Sequence, residues 1–529
     1  MLQRLKPFSL TIPLTALLML AIAVPVSAQI PLKDHTLNMR QRITLYGYAA
    51  NTWLSFVAMT DPHTGLPADN VSADGIRAAY TSPTNIATYL WSTLVARDLH
   101  LITPRQAHAR ISKALDTVAG LERHTASGQF YNSYDPATGE KLTVWPPTGD
   151  PVYPFLSSVD NAWLAAALLM VTNALPPLRD KAQAILESMD FSCYYDPNAR
   201  GPDFGAGLIR GGFWAVEDAP QWAQNFPKGN YCGKGLDVTF TGHHYGALNS
   251  ETRIISYIAI ALGQVPPAHY FAMWRTFPNT CDWGWQEMSP QGVTRNYLGI
   301  EVYEGHYTYR DKSIVPSWGG SMFEALMPAL LVPEAKWGET SWGINHPLYV
   351  QAQLEHGLEE AKYDYWGFSP SNNPDGGYRE WGVDPLGMDP NGYTSDQERT
   401  TVDYGFRDPS GTGYCREPQP LPEAYGRGVV TPHASFLALE FAPEAALENL
   451  AHLRQDFSAY SWGGFYDTID VDVKSGKISG YYLALDQGMI MAAIGNALRH
   501  NRLQHYFTQG TVKEVLQPIL AIEEFTAGN

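Results

Sequence analysis

Ser157-Ser158-Val159-Asp160-Asn161-Ala162-Trp163-Leu164-Ala165-Ala166-Ala167-Leu168-Leu169-Met170 is the stretch whose reading decides the fold. After its opening Ser-Ser-Val-Asp it is almost wholly apolar. A helix that is hydrophobic all round is a buried one, and this one starts with a carboxylate. Outward from it, helical spacing predicts further helices near 41–59, 82–99, 104–123, 177–189, 248–263, 267–275, 319–331, 346–362, 433–441, 444–455 and 484–499, with this one at 157–173. Ser82-Pro83-Thr84 stands before Ile86, Leu90 and Leu94; Thr103-Pro104 puts a proline in the first turn of the next helix. Long loops rich in Gly, Pro and aromatics, at 191–247, 276–316 and 363–431, join them, and strand-like alternation is confined to those loops. About twelve helices without β-α alternation predict an all-α fold, with inner helices alternating with outer ones in a double ring and loops walling a cavity at one end. An α-solenoid is the competing arrangement, but no constant repeat period is present.

Arg4 and Lys6, the apolar run Leu10–Val26 and the small residues Val26-Ser27-Ala28 read as a secretory signal with its cleavage site. The expected mature chain is 29–529, one catalytic domain, since no Gly/Ser-rich linker, charge block or low-complexity tract divides it. The expected location is secreted or periplasmic. The net charge of −17 argues against nucleic acid and anionic membrane surfaces as partners. Cys193, Cys232, Cys281 and Cys415 form no CxxC or CxH pattern, so zinc and redox sites are not expected. Disulfides are permitted in an oxidising compartment. Cys193 and Cys232 bracket one loop-rich insertion and are the preferred pair, although four cysteines allow three connectivities.

The chain carries 15 Trp and 30 Tyr, many beside Gly, Pro, Asn or Asp, as in Asp282-Trp283-Gly284-Trp285 and Tyr365-Trp366-Gly367. Loop aromatics present flat apolar faces with a polar tip, and pyranose rings have matching faces. No GxSxG, HExxH, GxGxxG or phosphate-binding loop occurs. His243-His244 has no metal-ligand partner at helical spacing and reads as loop or site-lining histidine. The chemistry is left to carboxylates, which is how glycosidic bonds are normally hydrolysed. Asp160, Glu251, Glu324, Asp467 and Asp486 each sit in a polar or Gly-rich stretch, most of them where a buried helix begins. Helix capping accounts for any one of them; five with flanking Gly and aromatics are harder to explain that way.

These stretches also carry a resemblance. Tyr80 to Ile86, Leu121-Glu122-Arg123, Phe130 to Asp135, Ser157 to Asp160, Ser250-Glu251-Thr252-Arg253 and Ser317 to Pro328 resemble the transglycosylase (glycoamylase-like) domain of cyclic β-1,2-glucan synthases. Gly464-Phe465-Tyr466-Asp467 and Tyr482 to Gly488 are more similar to bacterial endo-β-1,2-glucanases. The resemblance implies an (α/α)6 barrel acting on β-1,2-glucan; no cofactor or metal is expected, and the expected state is a monomer or weak dimer. It implies Glu251 as general acid, Asp467 as base with Asp160 as the other candidate, and Thr84, Asn85, Tyr131, Arg253, Trp318, Glu324, Tyr378, Trp462, Tyr466 and Asp486 against the substrate. Where the synthase domain has Gly-Ile-Ser-Glu-Ser, this chain has Gly367-Phe368-Ser369-Pro370-Ser371. The missing Glu disfavours a covalent intermediate and favours an inverting hydrolase, with Asp375, Glu380 or Asp384 as possible replacements. A transglycosylase or hydrolase of another exported glycan, and a non-catalytic periplasmic glycan-binding protein, are the competing functions.

The acid role sets a physical requirement. A general acid needs a raised pKa, whereas a helix start and nearby Arg253 would lower it. Burial and repulsion from Asp160 or Asp467 must outweigh both.

Overall fold

Helices begin where the sequence supplies their caps. The computed structural model describes residues 37–283, 286–388, 405–418, 428–472 and 476–528; the signal segment 1–28 and Trp285 lie outside them. Helix α1 (Met39–Met59) opens on Asn38, whose side chain accepts from the Gln41 N–H while Gln41 returns the bond. Ser82 caps α2 (Pro83–Asp98), Thr103 caps α3 (Pro104–Gly120), and Ser157 caps α4 (Ser158–Ala174). The remaining helices are α5 (Arg179–Glu187), α6 (Arg253–Ala261), α7 (His269–Ala272), α8 (Met322–Leu326), α9 (Glu334–Trp337), α10 (Trp342–Glu355), α11 (Pro432–Leu437), α12 (Pro443–Asp456), α13 (Ala484–Leu498), α14 (Arg502–Phe507) and α15 (Thr511–Ala521).

Two kinds of helix are present. In α2, α4, α6 and α13 nearly every residue is buried, whereas α1, α3, α5, α12 and α15 bury one stripe. The first kind form the centre. Helix α2 packs against α4 and α13, α4 against α6, and α13 against α11, which packs on α8. The second kind lie outside: α1 on α13 and α2, α3 on α2, α5 on α4, α12 on α11 and α15 on α6. Glycine permits the closest approach in the centre. A Cβ on Gly488 would lie 2.4 Å from the Thr88 Cβ, and the Gly488 carbonyl accepts the Trp91 indole N–H at 2.9 Å.

Strands decorate this helical body in the long loops. An antiparallel sheet takes the order Leu156–Ser157, Gly212–Ala215, Asp237–Phe240, Lys228–Asn230, and the hairpin Gln291–Tyr297 with Ile300–Tyr309 carries Lys312–Ile314 on its edge. Cys193–Cys232 closes the first insertion, and a second bridge, Cys281–Cys415, joins two of the long loops.

Several helix boundaries differ from the sequence expectation. The segment expected at 248–263 begins only at Arg253, because Asn249 to Thr252 form a turn in which the Asn249 amide donates to the Val315 carbonyl at 3.0 Å. The segment at 319–331 divides into α8 and a 3-10 turn, Pro328–Leu330, where proline has no N–H to continue the ladder. The expected 267–275 shrinks to α7, and α10 ends in a π-turn, His356–Glu360. Three helices, α9, α14 and α15, lie outside the expected segments. No helix among the described residues is long and apolar enough to cross a membrane.

Candidate active site

The carboxylates converge because the starts of central helices converge. Asp160 lies in the first turn of α4, its N–H on the Ser157 hydroxyl, and its Oδ1 accepts the Thr84 hydroxyl of α2 at 2.5 Å. Burial pushes the Asp160 carboxyl up, opposed by these hydroxyl bonds. Asn85, one residue on from Thr84, donates to Asp69 at 2.8 Å. Burial likewise raises Asp69.

Glu251 stands in the turn before α6, buried to 9 % exposure. Its Oε2 accepts the Trp163 indole N–H at 2.6 Å, and its main-chain N–H donates to Glu324 at 2.8 Å. The Ser250 hydroxyl donates to the same Glu324 oxygen at 2.7 Å. Burial, then the charge of Glu324 and that of Asp160, hold the Glu251 carboxyl well above the usual range, against the Trp163 bond and the Arg253 charge. The requirement set above is met by burial, Glu324 and Asp160 rather than by Asp467.

Asp467 follows the Gly464–Phe465 strand and accepts the Asn372 N–H at 2.6 Å. Burial pushes it up to about 6, while hydrogen bonding to Asp486 and to the Asn372 N–H pulls down. Asp486, in the first turn of α13, is pushed well above the carboxylate range by burial and then by the Asp467 charge, so the pair keeps a proton on Asp486. Behind them is His433 of α11, its Nδ1 3.4 Å from Asp486, held neutral by burial with a pKa of about 3. His433, Asp467 and Asp486 place one ligand atom each within 4.8 Å of one another, and among the described residues they are the group able to hold a metal ion.

Three cavities meet along this line. A chamber of about 650 Å³ is lined by Asp69, Asn85, Asp160, Glu251, Asn372 and Tyr378, among others. A second cavity, about 680 Å³, shares Glu251 with it and is walled by Tyr245, Trp274, Phe277, Trp283 and Trp318. A third, about 570 Å³, shares Tyr80, Asn372 and Gly377 with the chamber and continues away from Glu251. The result is a trough with Glu251 at an internal junction.

The other expected substrate residues divide. Thr84, Asn85 and Tyr378 line the chamber; Trp318 and Glu324 line the aromatic cavity. Tyr131 is buried beneath Lys141, whose Nζ lies 4.3 Å from the ring centre, and its neighbours Asn132 and Ser133 line the chamber instead. Tyr466 stacks on Tyr482 at 4.8 Å, and Trp462, 36 % exposed, donates to the Ala73 carbonyl at 3.0 Å. Arg253 is corrected: it has no exposed surface, and its guanidinium is spent on Glu334 at 2.6 and 2.8 Å and on the carbonyls of Ser250, Glu324 and Ala325. It ties α6 to α8 and α9 and has no donor left for a ligand. Among the replacement carboxylates, Asp375 pairs with Lys477, and Asp384 is buried at a 3-10 turn. His243 and His244 line the aromatic cavity, with His244 3.0 Å from Asp196.

Trp163, Asp69, Asn372 and His433 were missed. Trp163 and His433 look like ordinary core residues in sequence; Asn372 contributes a backbone N–H, which carries no sequence signal.

The family model for Glycoamylase, described as "Putative glucoamylase", matches residues 244–511, and a domain described only as a protein of unknown function (DUF3131) matches 47–196. The chain is 27 % identical over 369 residues to the cyclic β-(1,2)-glucan synthase NdvB of Rhizobium meliloti (strain 1021), covering 68 % of this chain and 10 % of that protein. It thus spans about a tenth of the length of that relative. An endo-β-1,2-glucanase from Chitinophaga pinensis, in complex with sophorotriose and glucose, superposes with a TM-score of 0.58 at 16 % identity, over 90 % of this chain and 98 % of that one. A β-1,2-glucanase from Parabacteroides distasonis superposes with a TM-score of 0.61 at 16 % identity, over 92 % and 61 %. At these identities the structural likeness is one of fold. With its match running over just over half of the sequence, the chain belongs to the Glycoamylase family.

Proposed function

We propose that this protein is an endo-acting, inverting β-1,2-glucan hydrolase built on an (α/α)6 barrel, with Glu251 as general acid and Asp467 as base. The observation that carries this reading is the placement of a buried, proton-retaining Glu251 at the internal junction of a trough. Sugar units find room on both sides of that carboxyl, which suits cleavage inside a chain. Glu251 gives its proton to the glycosidic oxygen. Asp467, which ionises near neutral pH, takes a proton from the attacking water. Asp160 and Glu324 serve by keeping Glu251 protonated. The barrel is supported by the fully buried central helices and their striped outer partners. The linkage is supported by the β-1,2-glucan activities of the synthase and the glucanases to which the chain is similar.

The same reading takes 29–529 as one catalytic domain released from signal peptide 1–28, secreted or periplasmic; the two disulfides support an oxidising location. The test is incubation with β-glucans of defined linkage, following product length and anomer. Short β-1,2-gluco-oligosaccharides that appear early with the α-anomer in excess are expected. Release of glucose alone from chain ends overturns the endo reading, β-anomer overturns inversion, and inertness toward every β-1,2-glucan overturns the substrate.

A further inference from the structure

The trough is chemically lopsided about Glu251. On one side the chamber wall carries Asp69, Asp160, Asn85 and Asn372 among scattered apolar residues such as Tyr80, Trp145 and Leu485. On the other side the cavity is aromatic. There Phe277 and Trp283 lie nearly parallel, 4.4 Å apart, and Trp274 packs against both at 5.4 and 5.2 Å. The Arg200 guanidinium backs Trp274 at 4.0 Å. Trp274, Trp283 and Trp318 each keep part of their surface exposed. The platform is also tethered, because Cys281, two residues before Trp283, is bonded to Cys415.

General acid–base chemistry gives the two sides different meanings. The acid stands at the oxygen being cleaved, while the base and its water act on the anomeric carbon of the sugar that keeps the new reducing end. Asp467 is joined to the chamber wall through Asn372, and its charge acts on Tyr378 in that wall. The sugar under attack therefore belongs in the chamber, and the departing half of the chain must leave on the opposite side of Glu251.

We infer that the aromatic platform of Trp274, Phe277, Trp283 and Trp318 binds the leaving, reducing-end portion of the glucan, which fixes the direction in which the chain lies in the trough. This rests on the hydrolase reading above. Apolar ring faces stack on aromatic faces without demanding a particular hydroxyl pattern, which suits a product that must be released after each cut.

The test is cleavage of a β-1,2-linked gluco-octasaccharide in H₂¹⁸O, with products read by mass spectrometry. Only fragments from the non-reducing side acquire ¹⁸O, so every cut is mapped to a bond. Trp283→Ala and Trp318→Ala are each expected to lower kcat/KM about ten-fold. They should also shift cleavage so that the unlabelled, reducing-end fragments become shorter. Trp283→Phe and Trp318→Phe keep a flat ring and are expected to restore the wild-type pattern, which separates loss of stacking from loss of folding. A shift toward longer unlabelled fragments places the platform on the other half of the chain and overturns the polarity. An unchanged pattern in the alanine variants shows that the platform holds no sugar. If the wild-type enzyme leaves the octasaccharide intact, the failure belongs to the hydrolase reading instead.

Discussion

The main-chain N–H of Glu251 donates to a carboxylate oxygen of Glu324 at 2.8 Å, so two buried acids on separate segments are held as one unit. The bond fixes the turn that carries Glu251, and the negative charge of Glu324 raises the Glu251 carboxyl.

Glu251→Gln preserves the side-chain oxygen that accepts from Trp163 and removes the transferable proton. Turnover of β-1,2-glucan is expected to fall by about 10²- to 10⁴-fold. Oligosaccharide affinity, measured by calorimetry, should stay within a few-fold. Normal turnover in this variant would remove Glu251 from the acid role.

Two neighbours are expected to move the alkaline limb of the kcat/KM profile in opposite directions. Glu324 raises Glu251, so Glu324→Gln should shift the limb to lower pH. The Trp163 bond lowers Glu251, so Trp163→Phe should shift it to higher pH. A pH titration of kcat/KM for both variants decides the matter; equal shifts would mean that Glu251 does not set that limb.

The acidic limb is expected to follow Asp467, with activity falling as pH drops through about 6. Hydrogen bonding to Asp486 lowers Asp467, so Asp486→Leu should move this limb upward, while Asp486→Asn, which keeps an N–H donor, leaves it near its place. Asp467→Asn should abolish turnover yet raise the melting temperature at pH 8. The native pKa of Asp467 lies above its unfolded value, so its favourable contribution exists at low pH and is lost as pH rises through about 6. A lower melting temperature for Asp467→Asn at pH 8 would contradict that sign.

Glu334 is the structural counterpart. Burial alone would raise it, but the Arg253 charge and the bonds from Arg253 and His346 hold it at about 2. Breaking a buried pair by removing one partner costs roughly 3–5 kcal/mol, and Glu334→Gln is expected to lose about that in chemical denaturation at pH 7. Because the native pKa is depressed, this stability is present above the unfolded value of about 4.3 and fades as pH falls toward about 2. The gap between wild type and variant should close in the same window.

The local signals were readable where a side chain acts on its own segment. Ser82, Thr103 and Ser157 mark their helix starts and do cap them. The all-apolar helices are those at the centre, since a helix with no polar face has nowhere else to go. Misreadings cluster where a distant partner decides. Asn249 holds its turn through Val315, which delays α6, and Arg253 looks like a substrate ligand in sequence until Glu334, 81 residues on, takes its guanidinium.

The sequence by itself determined the helical body, the acids at the starts of its buried helices and the loops rich in Trp and Tyr, because capping, periodicity and burial are local consequences of residue type. Only the tertiary structure decided which acids share charge. Asp160 and Glu324 raise the cost of ionising Glu251 across three segments, and Asp486 keeps the proton beside Asp467. Repulsion between carboxylates depends on distance and on exclusion of water, and neither is written in the order of the residues.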